Sequence, residues 1–98
     1  MKTEYHIKLK DFCSSYSIDE LFVIELYENE LIELKVLNKQ RYIIHDDLPK
    51  LEKMIRMNQE LGINIEGIEA IHHLLQKIEN LQHYINKLHN RMAPFEDL

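Results

Sequence analysis

The chain has 98 residues, with 12 Lys and Arg against 17 Asp and Glu, a formal charge of −5 with histidine neutral. Hydrophobic residues make up 45% and charged residues 30%, which suits one small folded domain and excludes a disordered acidic tail. The acidic balance argues against a partner held through phosphates, so DNA is an unfavoured partner, and the single cysteine excludes an internal disulfide and fits a reducing compartment. No apolar run of membrane-spanning length occurs and the first residues lack an apolar signal region, so cytoplasmic residence is expected, with no membrane partner. A chain this short buries only about 60–65% of the surface its unfolded form exposes. It has little room for both a core and a deep enzyme pocket, and oligomerisation would add to its stability.

Taken in order, Tyr5-His6-Ile7-Lys8-Leu9 alternates and predicts a short strand. Leu9, Phe12, Cys13 and Tyr16 follow at i, i+3, i+4 and i+7, the mark of a short amphipathic helix. Ser14 to Ser17 break it, and Ser17 with Glu20 forms a capping-box pattern that opens a second helix over about residues 18–28. Two short helices across a tight turn read as a helix-turn-helix unit. On a helical wheel Phe22, Val23, Leu26 and Tyr27 share a core-facing arc, and Leu21, Ile24, Glu25 and Glu28 fall on another. Two β-like pieces come next, Ile32–Leu37 and Arg41–Ile44, separated by Asn38-Lys39-Gln40 as in a small hairpin or wing.

Asp46 or Asp47 can cap a third helix, with Pro49 in its first turn and an apolar face of Leu48, Leu51, Met54 and Ile55. Leu61-Gly62 ends it, and Asn64 caps a long final helix, with Ile63 and Ile68 placed as a hydrophobic staple. Along that helix Ile71, Ile78, Ile85 and Met92 recur every seven residues, with Leu74, Leu81 and Leu88 between them. β-Branched residues at one core position and leucine at the other make a heptad suited to two strands. A helix over 64–92 is about 43 Å long, too long for its far end to lie against so small a globule. The reading is a dimer seam of Ile71, Leu74, Ile78, Leu81, Ile85 and Leu88; the alternative is a core helix within one chain. The expected architecture is mainly α with a small β wing: a winged helix-turn-helix domain over 1–62, a dimerisation (coiled-coil) helix over 63–92 and a C-terminal tail over 93–98.

Few residues suggest chemistry. Cys13 sits on the apolar stripe of its helix and reads as a small buried hydrophobe. Of the six histidines, His72 and His73 are adjacent and His83 and His89 are six apart, so no pair has the spacing of helical metal ligands. No Gly-rich phosphate loop, nucleophile motif or convergent acid/base set is present. No enzyme, cofactor, metal or small-molecule substrate is expected.

Charge is more informative. Residues 19–34 hold six acids and no base, a local −6 that exceeds the whole excess. In a DNA reader the second helix of such a unit enters the major groove and offers basic or amide groups. Here it would bring Glu25 and Glu28 to phosphates. Leu21 and Ile24 beside acids look more like a protein contact with an apolar centre and a charged rim, unless Leu21 and Ile24 pack under the wing and the acids are merely solvated.

The order strand, helix-turn-helix, wing, helix and dimerising helix resembles the MerR-type winged helix. The carriers are Phe12-Cys13, Tyr27-Glu28, Arg41-Tyr42 and the run from Glu60 to Ile68. MerR regulators usually place an arginine just before the tyrosine-glutamate pair and a glycine after it. This chain has Glu25-Leu26 before it and no glycine after, which weakens the implied DNA binding.

A closer resemblance is to chaperone-modulatory proteins of the CbpM type. It rests on Asp11-Phe12-Cys13, the acidic second helix, Tyr42 before Asp46-Asp47, the stretch from Arg56 to Leu61, and Gly67-Ile68. It spans about residues 5–92. That family implies a homodimer that binds the J-domain of a DnaJ-like (CbpA-like) co-chaperone and restrains it. J-domains present a basic helix to their Hsp70 partner, so an acidic surface can compete for it. The residues expected to meet the partner are Leu21, Ile24, Glu25 and Glu28. The alternative is a MerR-like transcriptional regulator, supported by Lys35, Lys39 and Arg41 on the wing.

Overall fold

The computed structural model describes residues 6–96, with side chains through Met92. The elements run β1 (His6–Lys8), α1 (Leu9–Tyr16), α2 (Glu20–Glu28), β2 (Leu34–Leu37), β3 (Gln40–Ile44), a single 3-10 turn (His45–Asp47), α3 (Leu48–Leu61) and α4 (Ile65–Glu96). This is the mainly helical, winged arrangement that the sequence predicts. Tyr5, the first residue of the expected strand, lies outside the described residues.

The three strands form one antiparallel sheet in the order β1-β3-β2. Leu37 pairs with Gln40, so the wing turns through two residues, Asn38 and Lys39, not three. Both have positive φ, 51° and 65°, as a two-residue turn must to match the twist of its strands. On the other side of β3, Ile7 pairs with Ile43 and Lys8 with Tyr42.

One core gathers Leu9, Phe12 and Cys13 of α1, Val23 and Leu26 of α2, Ile43 of β3, and Leu51, Met54 and Ile55 of α3. Leu31 and Ile32 complete it from the loop before β2. Ile32 was expected at the start of a strand; instead it plugs the core, because the chain reverses sharply at Glu30 (φ 61°). Tyr27, expected to face the core, is exposed, as is Tyr16. Tyr16 still packs: its ring stacks on Phe12 at 4.4 Å and its hydroxyl donates to Glu52 Oε2 at 2.5 Å, tying α1 to α3.

The first three helices end alike. Ile18 N–H donates to the Cys13 carbonyl, Leu31 N–H to that of Leu26, and Ile63 N–H to that of Met57. The first two are the long backbone bonds of Schellman endings and the third reaches one residue further back; all three follow a left-handed residue just before the donor. Ser17, Glu30 and Gly62 supply it. Ser17 is therefore the end of α1 and not the cap of α2. Asp19 caps α2, its Oδ1 accepting from Leu21 N–H at 3.0 Å. Asp47 likewise makes no side-chain cap to α3. Its Oδ2 accepts the Glu33 amide at 2.9 Å and so pins the loop before β2 to the start of α3.

Asn64 caps α4 as expected, its Oδ1 accepting from Gly67 N–H at 2.9 Å. Ile68 is fully buried, and Ile63 and Ile65 pack against the same core. A side chain at Gly67 would come within 2.6 Å of Ile63 Cγ2, so the absence of a Cβ permits this close join. Beyond it α4 leaves the globule and continues through Glu96, into the stretch read from sequence as a tail.

Candidate partner-binding surfaces

Two surfaces stand out, one on α2 and one on α4. On α2, Leu21, Glu25 and Glu28 fall at i, i+4 and i+7 and make a single exposed stripe. Leu21 is 66% exposed, a large apolar side chain left in water beside two carboxylates. Ile24 sits apart from that stripe, half-buried and packed against the core. Val23 and Leu26, on the opposite side of α2, anchor the helix. Among the described residues no group of three or more His, Cys, Asp or Glu is placed to hold a metal ion.

The second surface is the heptad stripe of α4. Ile71 is half-buried, but from His73 to Met92 every residue is exposed. Leu74, Ile78, Leu81, Ile85 and Leu88 lie along one side of this solvated length, with Ile78 49% and Leu81 60% exposed. Together they make a row of large apolar side chains left in water on a projecting helix. At the base of α4 the stripe runs into a groove of about 540 Å³ against α3, lined by Met54, Met57, Leu75 and Ile78 with Lys53 and His72. Burial, then the charges of Lys50 and His73, hold the His72 imidazole below its ordinary pKa.

Cys13 offers no reactive thiol. It is 3% exposed, and burial, with Glu20 and Asp19 nearby, pushes its pKa from 9.0 up to about 11. One further feature escaped the sequence reading. Pairing of β1 with β3 carries Lys8 and Lys10 to the same cleft as Lys39 and Arg41 of the wing. Only the wing cations were visible from sequence, since strand register alone brings the others beside them.

The profile of the family described as MerR HTH family regulatory protein matches residues 7–90. The chain belongs to that family. Within the MerR family it is similar to the chaperone modulatory protein CbpM of Pseudomonas putida, 24% identical over 90 residues, covering 91% of this chain and 89% of the relative. It is also similar to the chaperone modulatory protein CbpM of Pseudomonas entomophila, 22% identical over 93 residues, covering 94% and 92%. The resemblance read from the residues, to the CbpM type within the MerR-like group, is thereby borne out. No solved structure matches the chain at a significant level. Among the described residues no helix is long and apolar enough to cross a membrane.

Proposed function

We propose that this MerR-family chain is a non-enzymatic, homodimeric adaptor that inhibits a DnaJ-like co-chaperone by binding its J-domain. The observation that carries the reading is the exposed α2 stripe of Leu21, Glu25 and Glu28. It occupies the helix that a DNA reader would lay in the major groove, and there the carboxylates would meet phosphates. Against a basic protein helix the same carboxylates attract, while Leu21 supplies the apolar centre of a contact. The similarity to proteins named chaperone modulatory protein supports a chaperone partner. Ile24, half-buried, contributes to such a contact from its edge. The heptad stripe supports the homodimer, because a second copy would cover the leucines and isoleucines that one chain leaves in water.

Charge reversal tests the α2 surface. With a purified DnaJ-like J-domain, Glu25→Lys with Glu28→Lys should weaken affinity at least about tenfold at low salt. The deficit should shrink as salt rises, because opposite charges across a rim act through steering and are screened. Unchanged affinity would place the J-domain elsewhere or nowhere on this chain. A second reading, a DNA-binding regulator, has support in the family match and in Lys39 and Arg41 on the wing. It predicts tight binding to random duplex in a low-salt gel shift.

A further inference from the structure

The cleft where β1, α1 and the wing meet takes no part in the proposed J-domain contact or in the homodimer. Its volume is about 410 Å³, and Lys8, Lys10, Lys39 and Arg41 line it together with Asp11 and Glu20. Three segments converge to build it. β1 delivers Lys8 opposite Tyr42, one position from Arg41. The first turn of α1 adds Lys10. The tight wing turn holds Lys39 at a positive φ of 65°. Among the described residues none of these four cations forms an ion pair or a side-chain hydrogen bond. Four cations against two carboxylates leave the cleft positive on a chain of charge −5. A cleft of net positive charge raises the local concentration of a ligand of the opposite sign.

We propose that this cleft is a second docking site and that it takes a short acidic peptide segment of a protein partner. Unpaired lysines and an arginine held by separate elements suit side-chain carboxylates, which arginine can grip with two parallel hydrogen bonds. The surroundings favour a short segment over nucleic acid. α2 starts at the cleft with Glu20 and runs about 12 Å, at 1.5 Å per residue, to Glu28. A duplex carries a negative charge about every 1.7 Å of its axis and extends beyond any such cleft. A short peptide can instead end within the cleft, with Glu20 at its boundary.

The test uses the full chain and a fluorescent hexaglutamate peptide at about 150 mM salt. The expected result is saturable binding, with amide NMR shifts confined to residues 8–11 and 38–41. Lys39→Glu with Arg41→Glu, and separately Lys8→Glu with Lys10→Glu, should each weaken binding at least tenfold. Lys53→Glu with Arg56→Glu makes the same charge change at exposed positions of α3 and should weaken it less than threefold. Glu25→Lys with Glu28→Lys should leave it intact, which separates this site from the α2 surface. Equal losses in all the acidic variants, shifts spread over α3 and α4, or no binding would overturn the proposal. So would a short DNA duplex that binds more tightly than the peptide at the same salt and displaces it.

Discussion

Asp19 carries a role that the residue pattern assigned to Ser17. Both precede an apolar run, and both side chains accept hydrogen bonds at helix starts. The difference lies in the backbone: Ser17 is left-handed, at φ 56°, while Asp19 is extended, at φ −72° and ψ 130°, and only the extended residue can aim its oxygen at the amides ahead. Asp19→Ala should therefore cost about 1 kcal/mol in chemical denaturation, a usual value for a lost cap, while Ser17→Ala should change stability by less than about 0.5 kcal/mol. Cys13 makes a second residue-scale prediction. Its raised pKa means the folded state holds the thiol proton more firmly than the unfolded chain does. That contribution to stability is intact below pH 9.0 and is lost as the pH climbs through about 11. At pH 8 its thiolate is about 100-fold rarer than that of an ordinary cysteine, and burial also bars the reagent, so alkylation of the native protein should be slower by at least about that factor than after unfolding in urea.

At the scale of elements, periodicity located α1, α3 and α4, because each keeps its apolar residues three and four apart, whereas α2 was placed from a cap at Ser17 that belongs to Asp19. It also located the wing, although Gln40 joined β3 and Ile32 left the expected strand for the core. The helix ends were harder to read. Only Gly62 of the three left-handed end residues is a glycine, and composition gives no sign that Ser17 and Glu30 accept that conformation. Of the α2 residues expected to meet a partner, Leu21, Glu25 and Glu28 share one exposed line, whereas Ile24 is half-buried. A wheel drawn at 100° per residue cannot make that distinction, because Ile24 lies at the border of the two arcs and only packing assigns it. The cleft of Lys8, Lys10, Lys39 and Arg41 was invisible for a related reason. It depends on strand order, and β3 stands between β1 and β2.

The whole molecule is elongated, with extents of 61 × 38 × 21 Å and a Cα radius of gyration of 18.0 Å. A compact chain of this length would have a radius of about 13 Å. α4 accounts for the excess: at 1.5 Å per residue its 32 residues are about 48 Å long, and its buried part ends at Ile68. In a monomer, Ile78→Asp would be a surface change of little consequence. In a dimer sealed by the heptad stripe it buries a charge. The wild-type chain should sediment as a dimer at micromolar concentration, with a Tm that rises with protein concentration. Ile78→Asp should sediment as a monomer, with a Tm that no longer does. A wild-type monomer would remove the dimer from the proposed function.

The sequence by itself determined the helical class, the wing, the run of elements and the family they belong to. Those rest on periodicity and on short motifs, which are local. It also placed the acidic excess on α2 and the residues flanking it, and the apolar repeat on α4, since both are properties of neighbouring residues. Tertiary structure decided what depends on residues far apart in the chain. It turned Ser17 and Asp47 from caps into a helix end and a loop clamp, exposed Tyr27, and drew Ile24 toward the core. It also assembled four cations into one cleft. Each of these outcomes follows from backbone conformation or strand register, which a pattern of side chains leaves open and a packed core fixes.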